Sequence, residues 1–186
     1  MKQAVTCGCL AADNFATPDP RPRIPYRYVS EFTLWALTAS PLFLAADPRN
    51  MTALQRKVLL NGELIRINQD TPDNAGKFHS GGRVGFDPRC GKATTAGTGT
   101  GRDESTPCEI WSRRLSTGEV AVVLHNTDTV ARRITATFAS LGADASLAAP
   151  ATVRDLWAHA TLPGTHVSYS ASVGPHEVVA LLLSQK

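Results

Sequence analysis

Val120-Ala121-Val122-Val123-Leu124 is apolar at five successive positions, and this run constrains the chain more than any other stretch. A strand with one wet face alternates apolar and polar residues. A strand apolar on both alternating faces lies inside a sheet and is covered on both sides. The run is the second arm of a hairpin, CEIWSRRLSTGEVAVVLHN, spanning Cys108 to Asn126. Ile110–Leu115 and Glu119–His125 are its extended arms, and Ser116-Thr117-Gly118 supplies the turn, with glycine free to adopt positive φ. Nothing in this hairpin performs chemistry, so function has to be sought elsewhere.

The chain downstream offers the partner sheet. Ile134, Ala136 and Phe138 share one face of a strand that turns Arg133, Thr135 and Thr137 to the other. Val167, Tyr169, Ala171 and Val173 repeat that alternation, while Val178–Leu183 is apolar on both faces and reads as a second central strand. Turn signals at Ser140–Asp144, Pro150, Pro163-Gly164 and Gly174-Pro175 separate them. Short alternating strands at this spacing predict an antiparallel β-sandwich.

Upstream the pattern differs. Pro18, Pro20, Pro22 and Pro25 keep residues 1–25 irregular. Val29, Phe32, Trp35-Ala36 and Ala39 recur at helical spacing until Pro41. Leu42–Ala46 fits a short buried strand closed by Asp47-Pro48. Thr52-Ala53-Leu54-Gln55 has the form of a capping box opening a second helix, which Asn61-Gly62 ends. Glu63–Asn68 alternates as a strand. Residues 26–70 therefore read helix, strand, helix, strand. A lone buried strand cannot satisfy its backbone groups, and the chain before residue 42 shows no strand to pair with it. The segment reads as the end of a larger β/α repeat.

FTLWALTASPLFLAADPRNM, followed by LNGELIRINQD at Leu60–Asp70, resembles the end of the catalytic barrel in the melibiase family of α-galactosidases and α-N-acetylgalactosaminidases. Glu109–Asn126 resembles that family's Glu-Val-Trp-x-Arg-x-Leu and Gly-x-x-Ala-Val-x-Leu-x-Asn strands. Val153-Arg154-Asp155-Leu156-Trp157 and His176-Glu177-Val178-Val179 resemble its closing turn and last strand. The resemblance implies a mainly β chain, a C-terminal antiparallel β-sandwich preceded by the last helix-strand-helix remnant of a (β/α)8 barrel. It divides the chain into residues 1–61, an irregular N-terminus and barrel remnant, and 62–186, the sandwich. It also implies retaining hydrolysis of terminal α-linked galactose by the full-length enzyme, without cofactor or metal, in proteins that are usually secreted or lysosomal.

The same resemblance places the catalytic residues outside this segment. The family nucleophile lies in a Tyr-x-Lys-Tyr-Asp strand, which this sequence lacks, and its acid/base lies in an Arg-x-x-x-Asp stretch upstream of the matched region. The sugar-binding Trp-Asn-Asp-Pro-Asp-Met segment is also missing, and Pro18-Asp19-Pro20 is a poor substitute. A retaining glycosidase needs two carboxyls about 5–5.5 Å apart with opposed pKa values. Asp47 and Asp70 are the only acids near expected barrel-strand ends, and both read as capping or turn carboxylates. No catalytic, substrate-binding or metal-binding residue is assigned. The chain alone is expected to be inactive, as a fragment or truncated family member. The alternative is a standalone sandwich serving as a carbohydrate-binding or interaction module, which exposed aromatics on a sheet face would favour.

The remaining features are secondary. Residues 71–107 form a long connection with a short strand near Gly82–Asp87, and the Gly/Thr/Ala run 93–101 reads as linker, since it lacks the Gly-Lys-Ser/Thr of a phosphate loop. Cys90 and Cys108 bracket it. In an oxidising compartment a disulfide there would stabilise by about 3 kcal/mol, and in the cytosol both would be thiols. Cys7-Gly8-Cys9 has no second ligand pair, and the five histidines lack metal-ligand spacing. Asn50-Met51-Thr52 is an N-glycosylation sequon, a tripeptide that also arises commonly by chance. The 19 Lys and Arg residues are scattered, with net charge +3, which argues against nucleic acid as a partner. No apolar run reaches the ~20 residues of a membrane span. The N-terminus lacks a signal-peptide h-region, so the chain is expected either to stay inside the cell or to lack its true start. Without a barrel to cover it, the apolar face of residues 1–61 is expected to lie exposed or to drive self-association into a homo-oligomer.

Overall fold

The computed structural model of the chain describes residues 9–11, 25–45, 47–70, 81–90, 106–142, 145 and 147–185. The Pro18-Asp19-Pro20 segment, His79, the run 93–101 and all but the backbone of Cys9 in the Cys7–Cys9 pair lie outside them.

The chain is mainly β, and its antiparallel strands form a sandwich. Six strands make the larger sheet: β3 (Gly82–Phe86), β4 (Cys108–Arg114), β5 (Val120–Asn126), β10 (Val178–Ser184), β7 (Thr152–Asp155) and β8 (Ala160–Thr161), in that spatial order. β6 (Arg132–Thr137) pairs with β9 (Ser168–Val173) as a second, two-stranded sheet. The hairpin predicted from Cys108–Asn126 is formed in register Cys108↔Asn126 to Arg114↔Val120, and Gly118 turns it at φ 84°. The two strands apolar on both faces, β5 and β10, are neighbours at the centre of the sheet.

Two apolar cores explain that double-sided pattern. Val120, Val122 and Leu124, with Leu181 and Leu183, face Ile134, Ala136 and Val173 of the smaller sheet. The alternate residues, Ala121, Val123, Ala180 and Leu182, enter a second core with Phe32, Ala36, Leu37, Val58, Leu64 and Ile67. These come from a helical layer: α1 (Pro25–Leu37), α2 (Ala53–Leu59) and α3 (Gly62–Asn68). The expectation that the apolar face of residues 1–61 lacks cover is thereby corrected for α1, where Phe32 is 2 % exposed and Ala36 fully buried. The second face of the central strands and the apolar face of the helix cover one another.

Three local readings are also corrected. Glu63–Asn68 is helical. Leu64 and Ile67 are three positions apart and both buried, and Asn61 caps the helix by accepting from the N–H groups of Glu63 and Leu64. Four alternating residues fit either period, and the cap decides for the helix. Asn61-Gly62 thus opens α3, with Asn61 at φ −67°, and does not supply a left-handed ending to α2. Phe43–Ala45 is indeed a strand, β2, but the chain supplies its neighbour: β1 (Cys9–Ala11) pairs with it in parallel. It is not buried as expected, since Phe43 is 55 % and Leu44 46 % exposed.

Other signals match the structure directly. The Thr52–Gln55 capping box is closed in both directions. α1 ends in a Schellman arrangement, the Ser40 N–H reaching Trp35 O and the Ala39 N–H reaching Ala36 O, with Ala39 at φ 52°. A Cβ on Gly81 would lie 2.1 Å from Leu37 O, so only glycine allows the chain to pass the end of α1 there. Cys90 and Cys108 form a disulfide across a separation of 18 residues, closing the connection between β3 and β4. Reduction, or the Cys90→Ala/Cys108→Ala pair, is expected to lower stability by about 3 kcal/mol through the freed unfolded chain. Coincident urea unfolding curves with and without reductant would count against that restraint.

Candidate functional site

The two acids singled out from the sequence have structural partners. Asp47 caps the turn Pro48–Asn50, accepting from the Arg49 N–H at 3.0 Å and from its guanidinium at 2.9 Å, and these bonds hold its carboxyl below the usual range. Asp70 follows α3 and accepts from the Ser116 N–H at 3.0 Å and hydroxyl at 2.6 Å, which fixes the β4–β5 turn. A bare Arg-x-x-x-Asp spacing does occur twice, at Arg66–Asp70 and Arg83–Asp87. The second aspartate is 2 % exposed and accepts from the Arg89 and Thr135 N–H groups. All three aspartates hold backbone in place.

Two glutamates form tighter clusters, and both tie elements together. Glu109 on β4 is buried, yet Trp111 Nε1 donates to it at 2.9 Å, Arg83 at 3.0 Å, and His125 Nδ1 lies at 3.0 Å. Burial alone would raise its pKa; the bonds to His125, Trp111 and Arg83 outweigh it and bring it to about 2. Glu63 in the first turn of α3 receives Arg154 at 2.6 and 2.9 Å and His159 Nδ1 at 2.6 Å. Arg154 is the main cause of its fall to about 2. Each is therefore charged near neutrality, with its oxygens already committed as acceptors. Neither can act as the protonated partner that glycoside cleavage requires.

The alternation of β4 sends Glu109, Trp111 and Arg113 to the helical side of the sheet. There Arg113, completely buried, donates to Ile67 O at 2.7 Å and Asp70 O at 3.2 Å, covering carbonyls at the end of α3. Further bonds cross the same boundary. Asn61 donates to Leu156 O, Ser30 to His176 O, Trp157 Nε1 to Thr33, and Arg66 pairs with Glu119. The geometry builds a fixed junction between helical layer and sandwich. Among the described residues no group of three His, Cys, Asp or Glu side chains is placed to hold a metal ion. Nor is any described helix long and apolar enough to cross a membrane.

The junction shows which signals reading the sequence missed. The Glu109, Trp111 and Arg113 spacing was visible as a strand motif, but their targets were not. Glu63 meets Arg154 and His159 at separations above 90 residues, for which no local signal exists.

Comparison with known proteins addresses both halves of this arrangement. The family described as alpha galactosidase C-terminal beta sandwich domain matches residues 105–183, and the family described as alpha galactosidase A matches residues 26–70. An α-galactosidase of Oryza sativa is 32% identical over 157 residues, covering 84% of this chain and 31% of the relative. Alpha-galactosidase 2 of Arabidopsis thaliana is 31% identical, covering 86% and 34%. The chain thus spans about a third of the length of these relatives. Among solved structures, α-galactosidase I of Mortierella vinacea superposes with TM-score 0.65 at 22% identity, covering 88% of this chain and 36% of that one. A GH27 β-L-arabinopyranosidase of Geobacillus stearothermophilus gives 0.66 at 18%, covering 87% and 31%. At these identities the structural likeness establishes the fold.

Proposed function

Because the chain belongs to the melibiase-type α-galactosidase family, through its C-terminal region, we propose that it is the C-terminal portion of a retaining glycoside hydrolase that acts on terminal α-linked galactose. Its part in that enzyme is to close the helical end of the catalytic domain with a sandwich, through the junction at Asn61, Glu63 and Arg113. By itself it does not catalyse. The observation that carries this reading is the state of its acids: the sequence lacks Tyr-x-Lys-Tyr-Asp, and Asp47, Asp70, Glu63 and Glu109 are engaged in caps and ion pairs. The division into a barrel remnant (1–61) and a sandwich (62–186) belongs to the same proposal. The two matched ranges support two parts, with α3 lying in the first of them. The standalone carbohydrate-binding reading gains no support from the tryptophans, since Trp35, Trp111 and Trp157 pack against the inner helical core.

Purified 1–186 is expected to hydrolyse an aryl α-galactoside no faster than buffer, because acid catalysis and the covalent route each contribute orders of magnitude. Turnover that survives repurification and disappears in Asp47→Asn or Asp70→Asn would overturn the proposal.

A further inference from the structure

We propose that Asn50 is an N-glycosylation site, modified while the chain is still unfolded. Two independent observations lead there, and neither rests on the glycosidase reading. First, Asn50-Met51-Thr52 sits on an outward turn between β2 and α2, and residues 47–50 are all exposed, leaving room for a bulky substituent. The backbone N–H of Asn50 donates to Asp47 O, and the turn is capped by the Asp47 side chain rather than by the Asn50 amide. Second, the chain contains the Cys90–Cys108 disulfide. Disulfides form and persist in oxidising compartments and are rare in the cytosol. The eukaryotic secretory lumen is such a compartment, and there Asn-x-Ser/Thr acceptors meet their transferase.

The timing follows from Thr52. A sequon is read through its hydroxyl residue, but in the folded chain the Thr52 hydroxyl oxygen accepts from the Gln55 N–H, while Gln55 Oε1 accepts from the Thr52 N–H at 2.6 Å. Helix α2 starts on those bonds, so recognition of Thr52 competes with folding of α2. The group transferred is an oligosaccharide carried on a lipid pyrophosphate. Asn50 Nδ2 bonds to the anomeric carbon, the bond from that carbon to the pyrophosphate oxygen breaks, and the lipid pyrophosphate leaves with the electron pair. One amide proton passes to a base of the transferase, and no oxidant or reductant is needed.

The test is to express chain 1–186 behind a cleavable secretion leader in a eukaryotic host and read Asn50 by peptide mass after enzymatic glycan release, which converts a glycosylated asparagine to aspartate. Both secreted and cell-retained chains are read, because modification precedes folding and does not depend on its success. Conversion at Asn50 is expected in the wild type and in Thr52→Ser, and its loss in Asn50→Gln and Thr52→Ala. Unconverted Asn50 in chains that carry the disulfide overturns the site. In a second arm, purified transferase with its lipid-linked donor is given folded and unfolded chain, and the unfolded chain is expected to react about tenfold faster, the order of what an occupied N-cap contributes. Equal rates overturn the timing.

Discussion

Arg113→Met is expected to cost about 3–5 kcal/mol of stability, the range for removing one partner of a buried charged arrangement while leaving the other in place. The side chain is completely buried between sheet and helices, and the Asp70 carboxylate stands 3.9 Å from it. Burial pulls its pKa below the ordinary arginine value, and Asp70 opposes that pull. Replacing a whole buried ion cluster by apolar residues can be neutral or even stabilising, so the sign here depends on what stays behind. Methionine matches the stem but donates nothing. The carbonyls of Ile67 and Asp70 would lose the 2.7 Å and 3.2 Å bonds from the guanidinium at the end of α3, Ile67 O keeping only the backbone N–H groups of the helix end. Each lost bond to a charged donor accounts for about 1.5–3 kcal/mol. Lysine keeps the charge but lacks the planar fork that spans two carbonyls, and Arg113→Lys is expected to recover only part of the loss. Arg133→Ala, on the exposed face of β6, is the control and should stay within about 0.5 kcal/mol. Urea denaturation decides: equal midpoints for Arg113→Met and Arg133→Ala would mean that the guanidinium does not hold α3 to the sheet.

The parts of the fold legible in the sequence are those fixed by a period or a short-range bond. The β4–β5 hairpin was visible because Val120–Leu124 is apolar on both faces and Gly118 marks the turn. β10 followed by the same rule, and α2 by its Thr52–Gln55 box. What failed was local pattern where two periods overlap. Glu63–Asn68 satisfies alternation over four residues and helical spacing at Leu64 and Ile67, and the Asn61 cap chooses between them. What could not be read at all was partnership at a distance. The cover of α1 comes from residues such as Val123 and Ala180, far along the chain, and β2 takes its neighbour from Cys9–Ala11, within a segment that proline spacing marked as irregular. The acids show the same split. Their types and positions were plain, but the fact that Glu109 serves Trp111, His125 and Arg83 is a property of strand pairing, Glu109 standing opposite His125 across β4 and β5.

Acidification is expected to loosen the chain between about pH 4.5 and pH 2 through the two clustered glutamates. Each has a folded-state pKa near 2, against an ordinary value of 4.5. A carboxylate depressed on folding stabilises fully above its unfolded pKa, and that contribution declines as pH falls towards the folded value. At about 1.4 kcal/mol per unit, Glu109 contributes at most about 3 kcal/mol. Glu63 contributes less than its similar pKa suggests, because its side chain is 24% exposed and its pairs with Arg154 and His159 are screened by water. The measurement is urea denaturation of wild type, Glu109→Gln and Glu63→Gln at pH 5 and at pH 2.5. Glu109→Gln should start less stable at pH 5, since the amide cannot accept from Trp111, His125 and Arg83 as a carboxylate does, and should lose much less on acidification. Glu63→Gln should flatten the pH dependence only slightly. If wild type and Glu109→Gln fall by the same amount between the two pH values, the acid sensitivity resides elsewhere, and the buried cluster on β4 is not what couples protonation to the pairing of β3, β4 and β5.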